Sequence, residues 1–231
     1  MTTFAFVHGS WHDPWCFDAL REVLTAQGHE SVAPDLPVTD AAAGCPEYAD
    51  VVIAAIGGQA DVVLVAHSSA GLTAPLVAER RPVARLVLLG ALVPEPGRAA
   101  EEDFAEPPVP LTAAGREGRA TDGEGRSYWS DLERAAEVLY HDCDELTTAE
   151  ALARLRPQGQ RPMGDPCRLE GWPKVDTTYV VSTDDRMVSA DWSRAVGVPR
   201  ANAELAEIPG GHSPMLSRPH ELAELLIGLA D

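Results

Sequence analysis

Residues Val62-Val63-Leu64-Val65-Ala66-His67-Ser68-Ser69-Ala70-Gly71 constrain the fold more than any other stretch of the chain. The apolar run Val62 to Ala66, rich in β-branched residues, reads as a buried strand. It passes into two serines and then into a small-residue helix start. A serine at such a strand-to-helix corner can sit in a tight, strained turn, a nucleophile elbow, provided the residues two places away on each side are small. With Ser68 at the tip those residues are Ala66 and Ala70. With Ser69 at the tip they are His67 and Gly71, and the imidazole crowds the turn. The spacing favours Ser68. An ordinary Ser/Ala-rich helix start, with Ser68 or Ser69 acting only as a cap, reads the same over these ten residues.

The surrounding sequence carries the parts an elbow needs, in a consistent order. Thr3 to Val7 is a short apolar strand that stops at His8-Gly9-Ser10-Trp11-His12. A glycine at that strand end lets backbone approach a substrate carbonyl. One oxyanion donor of an acyl-transfer site is the amide after the nucleophile, here Ser69. The second comes from an early strand's loop, here the Ser10 amide. Downstream, Thr177 to Val181 reads as a strand opening into Ser182-Thr183-Asp184-Asp185-Arg186, where a triad acid belongs. Ala203 to Ile208 is a last strand, followed by Pro209-Gly210-Gly211-His212-Ser213-Pro214. The glycines let His212 swing back over the strand ends. Each signal is common alone; four of them on successive strand ends are not.

About six parallel strands are expected, at Thr3–Val7, Ser31–Ala33, Val62–Ala66, Leu86–Leu92, Thr178–Val181 and Glu204–Ile208. Helical patterns separate them, at Cys16–Ala26, Glu47–Ile56, Ser69–Glu79, Ala190–Ala195 and His220–Leu229. Alternation of this kind predicts an α/β doubly wound sheet with its site at the carboxyl ends of the strands. At 231 residues the chain is expected to form one domain, a core of 1–93 and 175–231 with a cap or lid insertion at 94–174. The insertion reads as irregular from Glu95 to Arg126 and helical at Ser130–Tyr140 and Thr147–Leu155.

The chain resembles the α/β-hydrolase superfamily, in its compact esterase and hydroxynitrile-lyase-like branch, which includes plant methylesterases and bacterial relatives. The matching stretches are Phe6-Val7-His8-Gly9-Ser10-Trp11-His12, Ala66 to Gly71, Thr183-Asp184-Asp185-Arg186 and Gly211-His212-Ser213-Pro214-Met215-Leu216. They cover the core from Thr3 to Val93 and from Thr177 to the end. The resemblance implies Ser68 as nucleophile, His212 as base and Asp185 as the orienting acid. Asp185 is preferred to Asp184 because the branch reads Thr-x-Asp there. Glu95, just past the fourth strand, is the runner-up acid. Two features depart from the pattern: alanines replace the elbow glycines, and Gly211 replaces an aspartate before the histidine. Cyanohydrin-cleaving relatives carry a threonine after the first-strand histidine and a lysine after the triad histidine. Gly9 and Ser213 stand in those places, and Ser68 excludes the chemistry of members with an elbow aspartate.

Ester-type hydrolysis through an acyl-serine remains, with no cofactor and no metal required. The acyl donor is a small ester, lactone, thioester or activated amide, chosen by the insertion. Trp11, Met187 and Met215 lie beside the site residues in sequence and are candidates to wall the substrate pocket. Trp15 is placed the same way. His141 and Asp142 read as a helix end and an N-cap rather than as metal ligands. His67 is expected under the elbow in a structural role. A different class stays open: proteins of this fold also serve as small-molecule receptors or as cyclase-like biosynthetic proteins with little turnover.

A net charge of −18 with a single lysine, Lys174, argues against nucleic acid or an anionic membrane surface as partner. No apolar run is long enough to span a bilayer, and Met1-Thr2-Thr3 leads straight into the first strand without a signal-peptide pattern. Cys16, Cys45, Cys143 and Cys167 lack metal or redox spacing. A cytoplasmic, bacterial enzyme is expected, with the lid edge as the surface on which a homodimer would form.

Overall fold

The inner strands of the main sheet are buried on both faces, as helices on both sides of a parallel sheet achieve. The computed structural model describes residues 1–105 and 107–230. In chain order its elements are β1 (Thr3–Val7), α1 (Asp18–Ala26), β2 (Glu30–Val32), α2 (Cys45–Ile56), β3 (Val62–His67), α3 (Ala74–Arg80), β4 (Arg85–Leu89), β5 (Arg119–Thr121) and β6 (Ser127–Trp129). Then follow α4 (Leu132–Leu139), α5 (Glu145–Arg154), α6 (Arg161–Gly164), β7 (Thr177–Ser182), α7 (Ala190–Trp192), α8 (Val198–Arg200), β8 (Glu204–Ile208), α9 (Pro214–Ser217) and α10 (Pro219–Ala230).

Six strands form one parallel sheet in the order β2-β1-β3-β4-β7-β8. Alternate residues face opposite layers. Phe4, Phe6, Val63, Val65, Val87 and Leu89 pack with Leu20 and Leu24 of α1 and Leu222 and Leu226 of α10. Ala5, Val7, Leu64, Ala66 and Leu88 pack with Tyr48 and Val52 of α2 and with α3. The strand order reverses direction between β1 and β3, so the crevice of a doubly wound sheet opens over their carboxyl ends. No helix of the described residues is long and apolar enough to cross a membrane.

Several boundaries differ from the sequence reading, each for a local reason. The fourth strand ends at Leu89 rather than Leu92, because Gly90 takes φ +48°. The expected helix Ser69–Glu79 is two pieces, a 3-10 turn over Ser68–Leu72 and then α3. Pro75 lacks an N–H and is tolerated only in a first turn, so the α-helix has to begin beside it. The helix expected at Ala190–Ala195 continues through a π-turn at Ser193–Gly197 into α8. The first expected helix opens as a 3-10 turn, Pro14–Phe17, capped by Asp13.

The stretch read as irregular, Glu95 to Arg126, holds two 3-10 turns and the first strand of an antiparallel hairpin, β5–β6. Its turn is closed by Asp122, whose carboxylate accepts from the amides of Glu124 and Arg126, with Gly125 at φ +78°. Asp122-Gly123 between two short β-prone runs is a hairpin signal that the sequence does contain. Residues 94–174 leave the sheet after β4 and return to it at β7.

Candidate active site

Ser68 follows β3 immediately and has φ +56°. A non-glycine residue in that region costs roughly 1–2 kcal/mol, so the surroundings must hold it there. They do so on three sides. The Leu92 amide donates to the Ser68 carbonyl at 3.0 Å. A Cβ on Gly9 would lie 2.7 Å from Ser68 Cβ, and a Cβ on Gly71 would collide with the Leu92 carbonyl. The elbow is therefore packed against bare backbone on both flanks. Ser68 is the residue with left-handed backbone at this corner, and Ser69 is the second residue of the 3-10 turn.

His212 is carried on the loop after β8, three strands away from β3. Neighbouring strands lie about 4.8 Å apart, so the ring must reach back across the ends of β7 and β4. Its Nε2 is 3.1 Å from Ser68 Oγ, and its Nδ1 is 2.8 Å from Asp185 Oδ2. The other carboxylate oxygen of Asp185 accepts from the amides of Met187 at 2.7 Å and Val188 at 2.9 Å. Both oxygens are thus fixed, and the ring is fixed with them. Asp184 faces elsewhere and accepts a hydrogen bond from His141 Nε2 at 3.1 Å. Glu95 pairs with Arg98 and Arg200 and takes no part in this chain.

Gly90 is the residue that sequence reading missed. A Cβ there would lie 3.1 Å from Asp185 Oδ2 and 3.8 Å from His212 Nδ1. The His–Asp pair passes over the end of β4, and the strand is bare where it passes. A glycine inside an otherwise continuous strand pattern signals such a close approach. Tyr179, fully buried on β7, braces the same loop by donating to the Ala91 carbonyl at 2.5 Å.

Two further histidines lie behind the reacting groups. His67 Nε2 donates to the His212 carbonyl at 2.8 Å, and the two ring centroids are 4.6 Å apart. His12 Nδ1 donates to the Ser10 carbonyl at 2.8 Å, and its Nε2 accepts from Tyr140 Oη at 2.8 Å. Burial drives the His12 pKa down to about 4 and holds His67 well below its usual value. Both rings are neutral, so His212 faces no cationic neighbour there.

His141 and Asp142 do not form the expected helix end and N-cap. Asp144 caps α5, through the Thr147 amide. Asp142 Oδ2 instead accepts from the Gly211 amide at 2.9 Å, directly before His212, and lies 3.7 Å from Arg218 Nε. A Cβ at Gly211 would meet His141 Cε1 at 2.6 Å and Asp142 Oδ1 at 2.7 Å. The aspartate missing before the histidine in sequence is matched in space by Asp142, from the chain between β4 and β7.

A cavity of about 310 Å³ opens over Ser68, with Ser10, Ser69, Trp11 and Met187 in its wall. Ser10 Oγ donates to Ser69 Oγ at 2.8 Å, which ties the two loops together. Met215 is not in that wall. It is fully buried on the α1/α10 face of the sheet, because the turn into α9 carries it away from the strand ends. Trp15 packs beneath Arg154, 4.8 Å from the guanidinium carbon, also outside the cavity wall.

Known proteins agree with this arrangement at the level of the family. The chain is 28% identical over 98% of its length to the probable esterase PIR7A of Oryza sativa subsp. indica, and covers 96% of that protein. It is 26% identical over 99% of its length to methylesterase 2 of Arabidopsis thaliana, with 95% of that protein covered. Among solved structures, a pyrethroid hydrolase superposes with a TM-score of 0.85 at 25% identity, covering 100% of this chain and 98% of its own. The sequence model described as the alpha/beta hydrolase family matches residues 4–225. With a serine elbow at the end of β3 and a parallel sheet that places Asp185 and His212 against it, the chain belongs to the alpha/beta hydrolase family.

Proposed function

We propose that the protein is a serine hydrolase that cleaves small carboxylic esters through an acyl-Ser68 intermediate. The hydrogen-bonded chain from Ser68 through His212 to Asp185, with Ser68 in the wall of a cavity, carries this reading. A neutral serine is a poor nucleophile, so His212 Nε2 takes the hydroxyl proton as Oγ attacks the ester carbonyl. Asp185 holds the Nδ1–H tautomer and stabilises the imidazolium that forms. The developing oxyanion is received by the Ser10 and Ser69 amides. The Ser69 amide supports that role because it lies in the first turn of a 3-10 helix, before any internal hydrogen bond can use it. His212 then gives its proton to the departing alkoxide, and a water activated by the same ring releases the acid. Residues 94–174 act as the cap that selects the substrate. A cytoplasmic enzyme is part of the same proposal, and four free cysteines support it.

The test is hydrolysis of p-nitrophenyl acetate and butyrate by the wild type beside Ser68→Ala and Ser69→Ala. Multiple turnover in the wild type, abolished in Ser68→Ala and kept in Ser69→Ala, whose amide is intact, is the expected outcome. A wild type without turnover, or a Ser68→Ala variant that keeps it, overturns the proposal.

A further inference from the structure

Arg119 lies in the wall of the Ser68 cavity without a carboxylate partner among the described residues. It sits on β5 opposite Trp129 in the hairpin register. Its guanidinium carbon is 5.4 Å from the Trp11 ring centroid and 6.0 Å from that of Trp129. The two indoles meet edge to face at 5.5 Å, and Trp11 is fixed by a 3.0 Å hydrogen bond from its Nε1 to Ser127 Oγ. The guanidinium is therefore held by aromatic surface, not by an opposite charge. Nε is buried and unpaired, and loss of water weakens the cationic form with no neighbouring acid to offset it.

Most arginines of this chain meet a carboxylate among the described residues. The chain carries 36 acidic residues against 18 basic ones, and Arg98, Arg126, Arg161 and Arg200 are among those paired. A half-buried cation that ignores so large an excess of acid is expensive to keep. Its wall also carries Arg116, while Glu101 is the single acid of the described cavity lining. With both indoles on one side of it, an arginine in the cavity wall keeps N–H groups that no carboxylate of the described residues uses. Such groups match the two oxygens of a carboxylate.

We propose that the ester this cavity accepts bears a free carboxylate, which Arg119 receives while the ester carbonyl lies at Ser68. The inference rests on the serine-hydrolase reading above, which it narrows to half-esters of dicarboxylic acids and esters of similar charge. Arg119 is then a specificity-determining residue, and Trp11 and Trp129 are its positioning residues.

The experiment compares p-nitrophenyl butyrate with the mono-p-nitrophenyl esters of succinate, glutarate and adipate, for the wild type, Arg119→Met and Arg119→Lys. The readout is the ratio of kcat/KM for each anionic ester to that for the neutral one. A charge-assisted bidentate contact is worth about ten- to hundred-fold in that ratio. For the best-fitting chain length the ratio should fall by that factor in Arg119→Met and by less in Arg119→Lys. A ratio within two-fold of wild type at every length overturns the proposal. Should Arg119→Met fail to fold, the wild type decides alone: glutarate should inhibit butyrate hydrolysis at least ten-fold more strongly than glutaramide, and equal inhibition overturns it. If no ester is turned over, the hydrolase reading falls. Glutarate binding by calorimetry, to wild type and Arg119→Met, then judges the anion site: Arg119-dependent binding keeps it and absent binding removes it.

Discussion

Substituting Gly90 by alanine separates backbone strain from site geometry at one position. Two costs are expected. The first is the backbone: alanine at φ +48° costs roughly 1–2 kcal/mol. For a chain of this size that lowers Tm by about 3–6 °C. The second is local. The added Cβ would stand 3.1 Å from Asp185 Oδ2, closer than ordinary carbon–oxygen contact by a few tenths of an ångström. Asp185 cannot turn freely, because its other oxygen is held by the Met187 and Val188 amides. The strain therefore passes into the 2.8 Å contact with His212 Nδ1. A full ångström of misplacement can cost about a hundred-fold, so a shift of this size should lower kcat on p-nitrophenyl butyrate about ten-fold. Gly28→Ala is the control, since Gly28 also has positive φ but no atom within 4 Å of its Cβ position. It should lower Tm by a similar amount and leave kcat unchanged. If the two variants have the same kcat, Gly90 serves only its own backbone and the crossing argument is refuted.

Other substitutions test the supports of the site. Gly9→Ala places a Cβ 2.7 Å from Ser68 Cβ and should reduce kcat by about a hundred-fold; steady-state kinetics beside wild type would show no change if the elbow has slack there. Asp142→Ala removes the acceptor of the Gly211 amide and should cut kcat several-fold, with Asp142→Asn, which keeps an acceptor, restoring most of it; equal kcat in all three would sink the idea that the insertion steadies His212. Acid should destabilise the fold through His12, whose pKa falls from 6.5 to about 4 on burial. The unfolded chain binds the extra proton between those values, so stability is present above pH 6.5 and is lost as pH falls towards 4. The loss at pH 4.5 is roughly 2–3 kcal/mol from this group, to be read from urea midpoints at pH 7 and 4.5. A similar loss in a folded His12→Gln variant would assign it elsewhere.

The core was legible because its signals are local. An apolar run ending in small residues around Ser68, and a histidine after paired glycines, each report what their own turn requires. Parallel strands buried on both faces read as continuous apolar runs, and β3 and β7, which lead to Ser68 and Asp185, are buried throughout. What stayed hidden depends on partners far away in sequence. Met215 is four residues past Gly211, yet α9 turns it into the opposite core. Asp142 looked like a cap because aspartate before a helix usually is one; its partner is the Gly211 amide, 69 residues on. The β5–β6 hairpin was readable from Asp122-Gly123, but short strands among prolines, glycines and acids carry little periodicity. Nothing in sequence pairs Arg119 with Trp11, which comes from the loop after β1.

These long-range pairings make the insertion more than a cover. Its hairpin contributes Arg119 and Ser127 to the cavity wall and Trp129 behind Trp11, and Trp11 is oriented through Ser127. Some residues later, Tyr140 fixes His12, and through it the Ser10 carbonyl of the oxyanion loop. Asp142 then fixes the amide before His212. On the proposed reading, substrate selection and alignment of the Ser68–His212–Asp185 chain draw on one continuous stretch, from Arg119 to Asp142. Variation in this stretch should therefore move kcat together with KM, whereas an inert lid would move KM alone.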